Sequence, residues 1–180
     1  CRVTAVEGRP ENVEIMRDRY RRQPVDILHR DLNDPLSVCE PQDVVIAYGI
    51  LYHVADPEAV LRWSAERCRA LLVLSTCVTP DADAPDGICP EPEDAAYASQ
   101  ALDGRACRPT RPWLLATLRS LFPHVYCPRT QPAHDEFPLD WSDPAPSATG
   151  LHRAVFIASR APLDRDGLSP DLVMRHDPSP

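Results

Sequence analysis

Lysine is absent from this 180-residue chain, in which all 19 basic residues are arginine. This absence excludes, within these residues, a phosphate-loop lysine, a Schiff-base lysine and the Tyr/Lys pair of short-chain dehydrogenases. The chain also has no apolar run near the roughly 18 residues of a membrane span, and no signal-peptide pattern at its start. We therefore expect a cytoplasmic protein with no membrane partner.

Cysteine motifs are lacking as well. The seven cysteines form no C-x-x-C pair and their number is odd, which argues against both a zinc site and a disulfide framework. Cys68 and Cys77 lie in apolar stretches, and we interpret them as small core residues. The sequence therefore predicts no metal site.

Positive charge is in short supply. The formal net charge is -8, whereas a protein that binds nucleic acid along its phosphate backbone needs a basic face. The arginines between residues 17 and 22 share their predicted helix with Glu14 and Asp18, which is typical of an ion-paired, solvated surface. Nucleic acid is thus disfavoured as a general partner, although a local tRNA substrate is not excluded.

Hydrophobic patterning and helix-start residues predict alternating strands and helices. Pro10, Pro57 and Pro112 stand near the first turn of the predicted helices, and Asp56 is a suitable N-cap. An unbroken apolar run in the third strand indicates burial on both faces, as in a parallel sheet. The predicted strands span 2–6, 25–29, 43–48, 70–77, 125–127 and 153–159. This order indicates an α/β fold with a doubly wound, mostly parallel sheet.

The chain is expected to form one domain over residues 1–160. Two polar, proline-rich stretches, 78–109 and 128–150, interrupt the pattern, and we interpret them as insertions; the first is either a functional lid or disordered. Residues 161–180 are rich in Pro and Asp and predict a flexible tail. Because a strand begins almost at Cys1, we also expect further chain to precede it.

Acidic residues end the first two predicted strands, at Glu7 and Asp31. Right-handed crossovers bring the loops after parallel strands to one sheet edge, so these acids and the 48–53 loop should lie together. A strand-end carboxylate can accept hydrogen bonds from ribose hydroxyls, and Asp31 with the Leu32 N–H is placed to meet an adenine. Turn formation also places acids at strand ends, so each signal alone is weak.

These segments resemble the class I S-adenosylmethionine-dependent methyltransferases. The resemblance rests on Val3–Glu7, Ile27–Asp31, Asp43–Ile46 and the Gly49–Pro57 segment, which is similar to a G-h-L-Y-H-x-x-D-P turn of some tRNA-uridine and small-molecule methyltransferases. It implies a Rossmann-like sheet whose last strand is antiparallel. The family's first strand, with its glycine-rich loop, has no counterpart here and would lie between the strands of Val3 and Val44.

The resemblance also implies a cofactor, S-adenosylmethionine, and residues that hold it. We assign its binding to Glu7, Gly8, Asp31, Leu32, Tyr48 and Gly49. His53 and Tyr52 face the sulfonium and the acceptor in this interpretation, with His53 as a base where the acceptor is a hydroxyl. The alternative is that both side chains only fix the loop and line the pocket.

Candidate substrate residues lie later in the chain. They are Arg108, Trp113, His134 and Glu136, in or beside the two insertions. Arginines can pair with an anionic substrate group, although capping and surface roles explain Arg108 and Trp113 equally well. His134 and Glu136 could grip a polar substrate, since the resemblance implies that their loop is on the substrate side, but an exposed charged loop is the commoner explanation.

The leading hypothesis is therefore methyl transfer from S-adenosylmethionine to a small-molecule acceptor. A tRNA- or nucleoside-modifying methyltransferase is the first alternative. A nicotinamide-dependent oxidoreductase also uses a strand-end acid on ribose, and a non-catalytic Rossmann-like module is the third alternative. The sequence does not predict the oligomeric state.

Overall fold

The computed structural model of the protein describes residues 1–34, 39–80, 84 and 86–179. Residues 81–83 and 85 of the predicted first insertion lie outside the described residues. The described elements are β1 Val3–Glu7, α1 Pro10–Tyr20, β2 Val25–His29, β3 Gln42–Tyr48, α2 Pro57–Glu66, β4 Cys68–Val78, β5 Ile88–Pro92, β6 Arg105–Pro109, α3 Arg111–Leu121, β7 His124–Pro128, β8 Thr130–Gln131, β9 His152–Ser159, β10 Leu168–Ser169 and β11 Asp177–Pro178. A single 3-10 turn, Leu51–His53, follows β3.

The main sheet has five strands in the order β10-β7-β9-β4-β3. β3 and β4 are parallel, and β9 runs antiparallel between β4 and β7, which confirms the predicted antiparallel last long strand. The sheet is mixed rather than mostly parallel, because the edge strand β10 is a second strand that runs antiparallel to its neighbour.

The first two strands form a sheet of their own. β1 and β2 pair in parallel from Val3↔Val25 to Glu7↔His29. Within the described part of the chain, β1 makes no backbone hydrogen bond to β3. The strands of this part of the chain are therefore divided between the β1–α1–β2 unit and the five-stranded sheet.

Local capping explains where two helices begin. Asp56 Oδ1 accepts a hydrogen bond from the Ala59 N–H at 2.9 Å, and Thr110 Oγ1 accepts one from the Trp113 N–H at 3.3 Å. Both bonds satisfy an amide that the first helical turn leaves unpaired. These caps confirm the predicted starts of α2 and α3.

The core lies between the five-stranded sheet and the two helices α2 and α3. Its most enclosed side chains, each at most 1% exposed, include Leu61, Leu72, Leu74, Leu114, Leu118 and Phe156. Cys68 and Cys77 are buried as predicted, and so are Cys107 and Cys127. Burial raises the pKa of the Cys107 thiol to about 12, so this thiol behaves as an inert apolar group.

The opposite face of β3 is open. Val44, Ile46 and Tyr48 alternate along the strand and are 48%, 70% and 66% exposed. Ala47, which points to the other face, is 6% exposed. The predicted burial of β3 on both faces is therefore wrong, since α2 and α3 cover only one of them.

The first insertion contains a β-hairpin. β5 and β6 pair antiparallel, from Ile88↔Pro109 to Pro92↔Arg105. The connecting segment is closed by a hydrogen bond from the Glu93 N–H to the Gly104 carbonyl at 2.9 Å. Gly87 lies beside this hairpin at φ 84°, where an added Cβ would meet Trp113 Cδ1 at 2.5 Å, so no larger residue fits there.

The expectation of a frayed tail is corrected by the structure. β10 pairs with β7, and β11 pairs with β8. Arg111 donates a hydrogen bond to the Val173 carbonyl at 2.5 Å and stacks 4.2 Å from the Trp141 ring centroid. The Trp141 indole N–H reaches His176 Nε2 at 3.1 Å. Strand pairing and these polar and stacking contacts therefore dock the tail, together with Leu172 and Val173, which are partly buried against the core.

Candidate active site

A cleft of about 200 Å³ opens at the carboxyl ends of β1, β2 and β3. Its lining comes from four parts of the chain: the ends of β1 and β2, the turn after β3, and the segment that connects β5 to β6. The lining residues include Glu7, Gly8, Arg9, Asp31, Leu32, Gly49, Ile50, His53, Gln100 and Leu102. The structure thus brings together the strand ends that the sequence placed at one edge.

The first wall is the turn after β1. Glu7 Oε1 accepts a hydrogen bond from the Arg9 N–H at 2.8 Å, which holds the carboxylate at the cleft edge. A Cβ added to Gly8 would lie 3.2 Å from Leu102 Cδ2. Gly8 therefore lets the opposite wall approach closely.

The second wall follows β2. Asp31 Oδ1 accepts the Asn33 N–H at 2.9 Å and so shapes a tight turn. Asn33 in turn accepts the Ala55 N–H on its side-chain oxygen at 3.1 Å. This bond joins the loop after β2 to the loop after β3 and sets the width of the cleft between them.

The third wall is the turn after β3. Gly49 adopts φ 73°, a left-handed conformation that glycine takes without strain, and its N–H donates to the Ser75 carbonyl at 2.8 Å. Leu51 is fully buried and anchors the 3-10 turn to the core. Tyr48, in contrast, lies on the open face of β3 and is not among the described cleft-lining residues.

The fourth wall, residues 98–102, was not predicted as part of the cofactor site. Arg9 Nη2 donates to the carbonyls of Gln100 and Ala101, each at 3.2 Å. These bonds tie the β5–β6 connection to the start of α1. The first insertion is therefore a wall of the cleft.

His53 is paired with a residue that the sequence did not single out. Its Nδ1 lies 2.6 Å from Oε2 of Glu93, and the two side chains are only 15% and 11% exposed. The same Glu93 oxygen accepts the Ala101 N–H at 2.5 Å. One buried carboxylate oxygen therefore holds both the imidazole and the fourth wall.

Tyr52 packs against His53 with ring centroids 4.0 Å apart, while its hydroxyl group contacts Arg153. That oxygen accepts a hydrogen bond from Arg153 Nη2 at 3.2 Å. Burial raises the pKa of Tyr52, so the phenol keeps its proton near neutral pH. Tyr52 is thus suited to hold its neighbours rather than to accept a proton.

An enclosed ion pair lies beyond Tyr52. Arg153 Nε is 2.5 Å from Glu136 Oε2, and both side chains are mostly buried. Thr149 Oγ1 donates to the other Glu136 oxygen at 2.8 Å. The hydrogen bond from Arg153 lowers the pKa of Glu136, with a further contribution from Thr149. Glu136 was predicted as a site residue, whereas Arg153 within β9 was not.

Comparison with family models and with curated proteins finds no match. Solved structures do match. The N-terminal domain of EvdMO1 with SAH bound is 21% identical, with a TM-score of 0.65 over 88% of this chain and 64% of that domain. A complex of the Haloferax volcanii Trm112 methyltransferase activator with a methyltransferase matches at 15% identity and a TM-score of 0.56. The match covers 88% of this chain and 72% of the matched chain. An O-methyltransferase family protein from Burkholderia thailandensis is 14% identical, with a TM-score of 0.52 over 88% of this chain and 42% of that protein.

The chain has the class I methyltransferase fold. It spans less than two thirds of the length of the EvdMO1 domain that it matches. The predicted fold class is confirmed at this level.

Within this methyltransferase fold, the remaining predicted substrate residues lie apart from the cleft. Arg108 pairs with Glu91 across the β5–β6 hairpin at 3.2 Å. Trp113 packs against Gly87 and the core. His134 is exposed and lies 3.2 Å from Asp135. None of the three is among the described residues that line the cleft.

The described residues offer neither a metal site nor a membrane span. They contain no group of three or more His, Cys, Asp or Glu side chains placed to hold a metal ion. None of their helices is both long and apolar enough to cross a membrane.

Proposed function

We propose that the protein containing this chain is an S-adenosylmethionine-dependent methyltransferase that acts on a small molecule. One observation carries the proposal: the cleft joins the strand-end acids Glu7 and Asp31 to the Gly49 and His53 turn, in a methyltransferase fold. The EvdMO1 domain of this fold was solved with SAH, the product that S-adenosylmethionine leaves after methyl transfer.

The cofactor would lie along the strand ends. Glu7 receives one N–H from Arg9, and a carboxylate has lone pairs on both oxygens with which to accept further bonds from ribose hydroxyls. Asp31 and the Leu32 N–H would meet the adenine, and Gly8 and Gly49 leave their backbone accessible. Tyr48 would belong to this site only if a ligand extended over the open face of β3. When bound, the cofactor supplies a methyl group on a positively charged sulfur.

A further strand would complete the site. β1 and β3 each have one edge without a paired strand in the described residues, and Val3 and Val44 on these two strands are 42% and 48% exposed. Open edges of this kind accept a strand by main-chain hydrogen bonding. We propose that the whole protein places the family's first strand there, with a glycine-rich loop at the cleft.

The acceptor would approach from the side of Tyr52 and His53. Glu136 and Arg108 are retained as substrate candidates because each is a charged, largely enclosed side chain held in an ion pair. Trp113 and His134 are not retained, because the first packs into the core and the second faces solvent. The negative net charge supports a small molecule over a polynucleotide.

Calorimetric titration of the full-length protein with SAH tests the cofactor assignment. We expect binding in wild type and at least a tenfold weaker Kd in Glu7→Ala, because the ribose would lose its acceptor. Glu58→Ala is the matched control, since Glu58 lies on the exposed surface of α2. No binding by wild type, or equal binding by Glu7→Ala, would overturn the proposal.

The same preparation separates the alternatives. A fluorescence change with reduced nicotinamide nucleotide, in the absence of SAH binding, would favour the oxidoreductase. Transfer of labelled methyl to tRNA but not to metabolite pools would favour a nucleoside-modifying enzyme. Failure of every ligand to bind would favour a non-catalytic module.

A further inference from the structure

The Glu93 carboxylate is hydrogen-bonded to His53 although 40 residues separate the two in sequence. It leaves the β5–β6 hairpin at the end of β5 and turns inward, where its side chain is 11% exposed. A buried carboxylate is costly unless it is paired and hydrogen-bonded. Here both known partners, His53 Nδ1 and the Ala101 N–H, meet the single oxygen Oε2.

This pairing dictates where the imidazole proton lies. An ionised carboxylate only accepts hydrogen bonds, so Nδ1 of a neutral His53 must carry the proton. Nε2 is then an unprotonated acceptor. No hydrogen bond to Nε2 is found within the described residues, and His53 is one of the side chains that line the cleft. An imidazole with an unprotonated Nε2 therefore lines the cleft.

We propose that Glu93 is a positioning residue that holds His53 as the general base for a hydroxyl acceptor, an inference that rests on the proposed function. The acceptor O–H proton passes to His53 Nε2 as the oxygen forms a bond to the methyl carbon. The carbon–sulfur bond breaks with its electrons on sulfur. The products are a methyl ether, SAH and a protonated His53, which later releases its proton to solvent.

Charge conservation explains the need for Glu93. The step moves one positive charge from the sulfonium to the imidazole, because SAH is neutral at sulfur. That charge arrives 2.6 Å from the Glu93 carboxylate, where the ion pair stabilises it in a water-poor environment. An acceptor that attacks without losing a proton in the same step would gain nothing from this arrangement.

The His53 tautomer provides a test that needs no acceptor. Heteronuclear NMR of the ring nitrogens in the SAH-bound full-length protein should show the proton on Nδ1 in wild type. In Glu93→Ala the Nδ1 form should lose its predominance. Glu91→Gln, at the end of β5 and paired with Arg108, is the matched control and should keep the wild-type tautomer. An unchanged tautomer in Glu93→Ala, with SAH binding intact, would overturn the positioning role.

Methyl transfer tests the acceptor class. We would supply labelled S-adenosylmethionine with a panel of phenols and hexoses and with matched primary amines. Methylation of a hydroxyl probe is expected, and methylation of amines alone, or of no hydroxyl, would overturn the inference. Glu93→Gln can keep both contacts to Oε2 through its amide oxygen while losing the charge, so kcat should fall at least tenfold with KM little changed. An equal kcat would contradict the charge argument.

Calorimetry with SAH distinguishes this failure from failure of the proposed function. If SAH binds wild type and all Glu93 variants equally, a negative result in the tautomer or methyl-transfer test contradicts the role of Glu93 and leaves the cofactor assignment intact. If wild type does not bind SAH, the cofactor assignment itself is wrong. Far-ultraviolet circular dichroism of each variant verifies that Glu93→Ala is folded.

Discussion

The β1–α1–β2 unit and the five-stranded sheet differ in how well each encloses its apolar residues. The five-stranded sheet packs on α2 and α3 and holds Leu72, Leu74 and Phe156 at 1% exposure or less. In the first unit only Val13 of α1 is buried, and Ile15 on the same helix is 60% exposed. The two parts also meet across a cleft instead of a shared sheet.

This contrast indicates that the five-stranded sheet is the stable part and that the β1–α1–β2 unit opens more easily. Buried apolar area is the main favourable contribution to folding, so the five-stranded sheet provides most of the stability. The β1–α1–β2 unit carries Glu7 and Asp31 and is less enclosed. Regions with few buried contacts open locally at low free-energy cost, and here such a region provides half of the candidate cofactor site.

Core truncations should show the largest difference between the two parts. Phe156→Ala should lower the free energy of unfolding by about 4 kcal/mol, because it leaves a cavity in an enclosed core. Val3→Ala in β1 should cost less than about 1 kcal/mol, since Val3 is largely exposed. Urea denaturation measures both, and similar losses would contradict the contrast.

Removing an ion pair should likewise cost more stability in the five-stranded sheet and its loops than in the β1–α1–β2 unit. Glu136→Gln should cost about 3 kcal/mol because it leaves the mostly buried Arg153 without its charged partner. Asp26→Asn removes the exposed Arg2–Asp26 pair and should cost less than about 1 kcal/mol.

The pH dependence gives an independent measurement of the enclosed pair. The pKa of Glu136 is lowered in the folded state, so its contribution is present above the unfolded-state pKa of about 4.3. It is lost as pH falls through the lower, folded-state pKa, where Glu136 becomes protonated. Denaturation curves from pH 7 to pH 3 should therefore lose stability less steeply in Glu136→Gln than in wild type. Parallel curves would contradict this account.

Cofactor binding should reduce the difference between the parts. At a free SAH concentration about 100 times its Kd, binding stabilises the native state by about 2.7 kcal/mol. Hydrogen exchange should slow most in β1 and in the loop after β2, which contain Glu7 and Asp31. Slowing confined to β4 and β9 would place the ligand elsewhere.

Helix capping should give the smallest effect. Asp56→Ala removes the bond to the Ala59 N–H and should cost about 1 kcal/mol, which Asp56→Ser should largely restore. α1 has no side-chain cap at Arg9, so its first turn should exchange amide protons faster than that of α2. Equal amide exchange in the first turns of both helices would show that the side-chain cap does not stabilise the start of α2 relative to α1.

The sequence predicted the long elements well because their signals are local. Asp56, Pro57 and Pro112 mark helix starts within a few residues of the elements that they begin. The strand-end positions of Glu7, Asp31 and the Gly49 turn followed from the order of strands and helices. The shared cleft edge could therefore be predicted before the structure.

The rest depended on contacts between distant residues. β5 and β6 contain Pro90, Pro92 and Pro109, and proline argues against a strand except at a sheet edge. Glu93 reaches His53 across 40 residues, and nothing in its own acidic, proline-rich stretch distinguishes it from its neighbours. Arg153 reads as one polar residue of a strand, and its partner Glu136 lies in a separate loop.

The two hydrogen bonds from Arg9 to the Gln100 and Ala101 carbonyls have a consequence for the kinetics of binding. They order the fourth wall of the cleft before any ligand arrives, so the conformational entropy of that loop is already lost in the free protein. A ligand then meets a preorganised wall and needs no slow loop-closure step on that side. Association should be limited by diffusion and by local opening of the β1–α1–β2 unit.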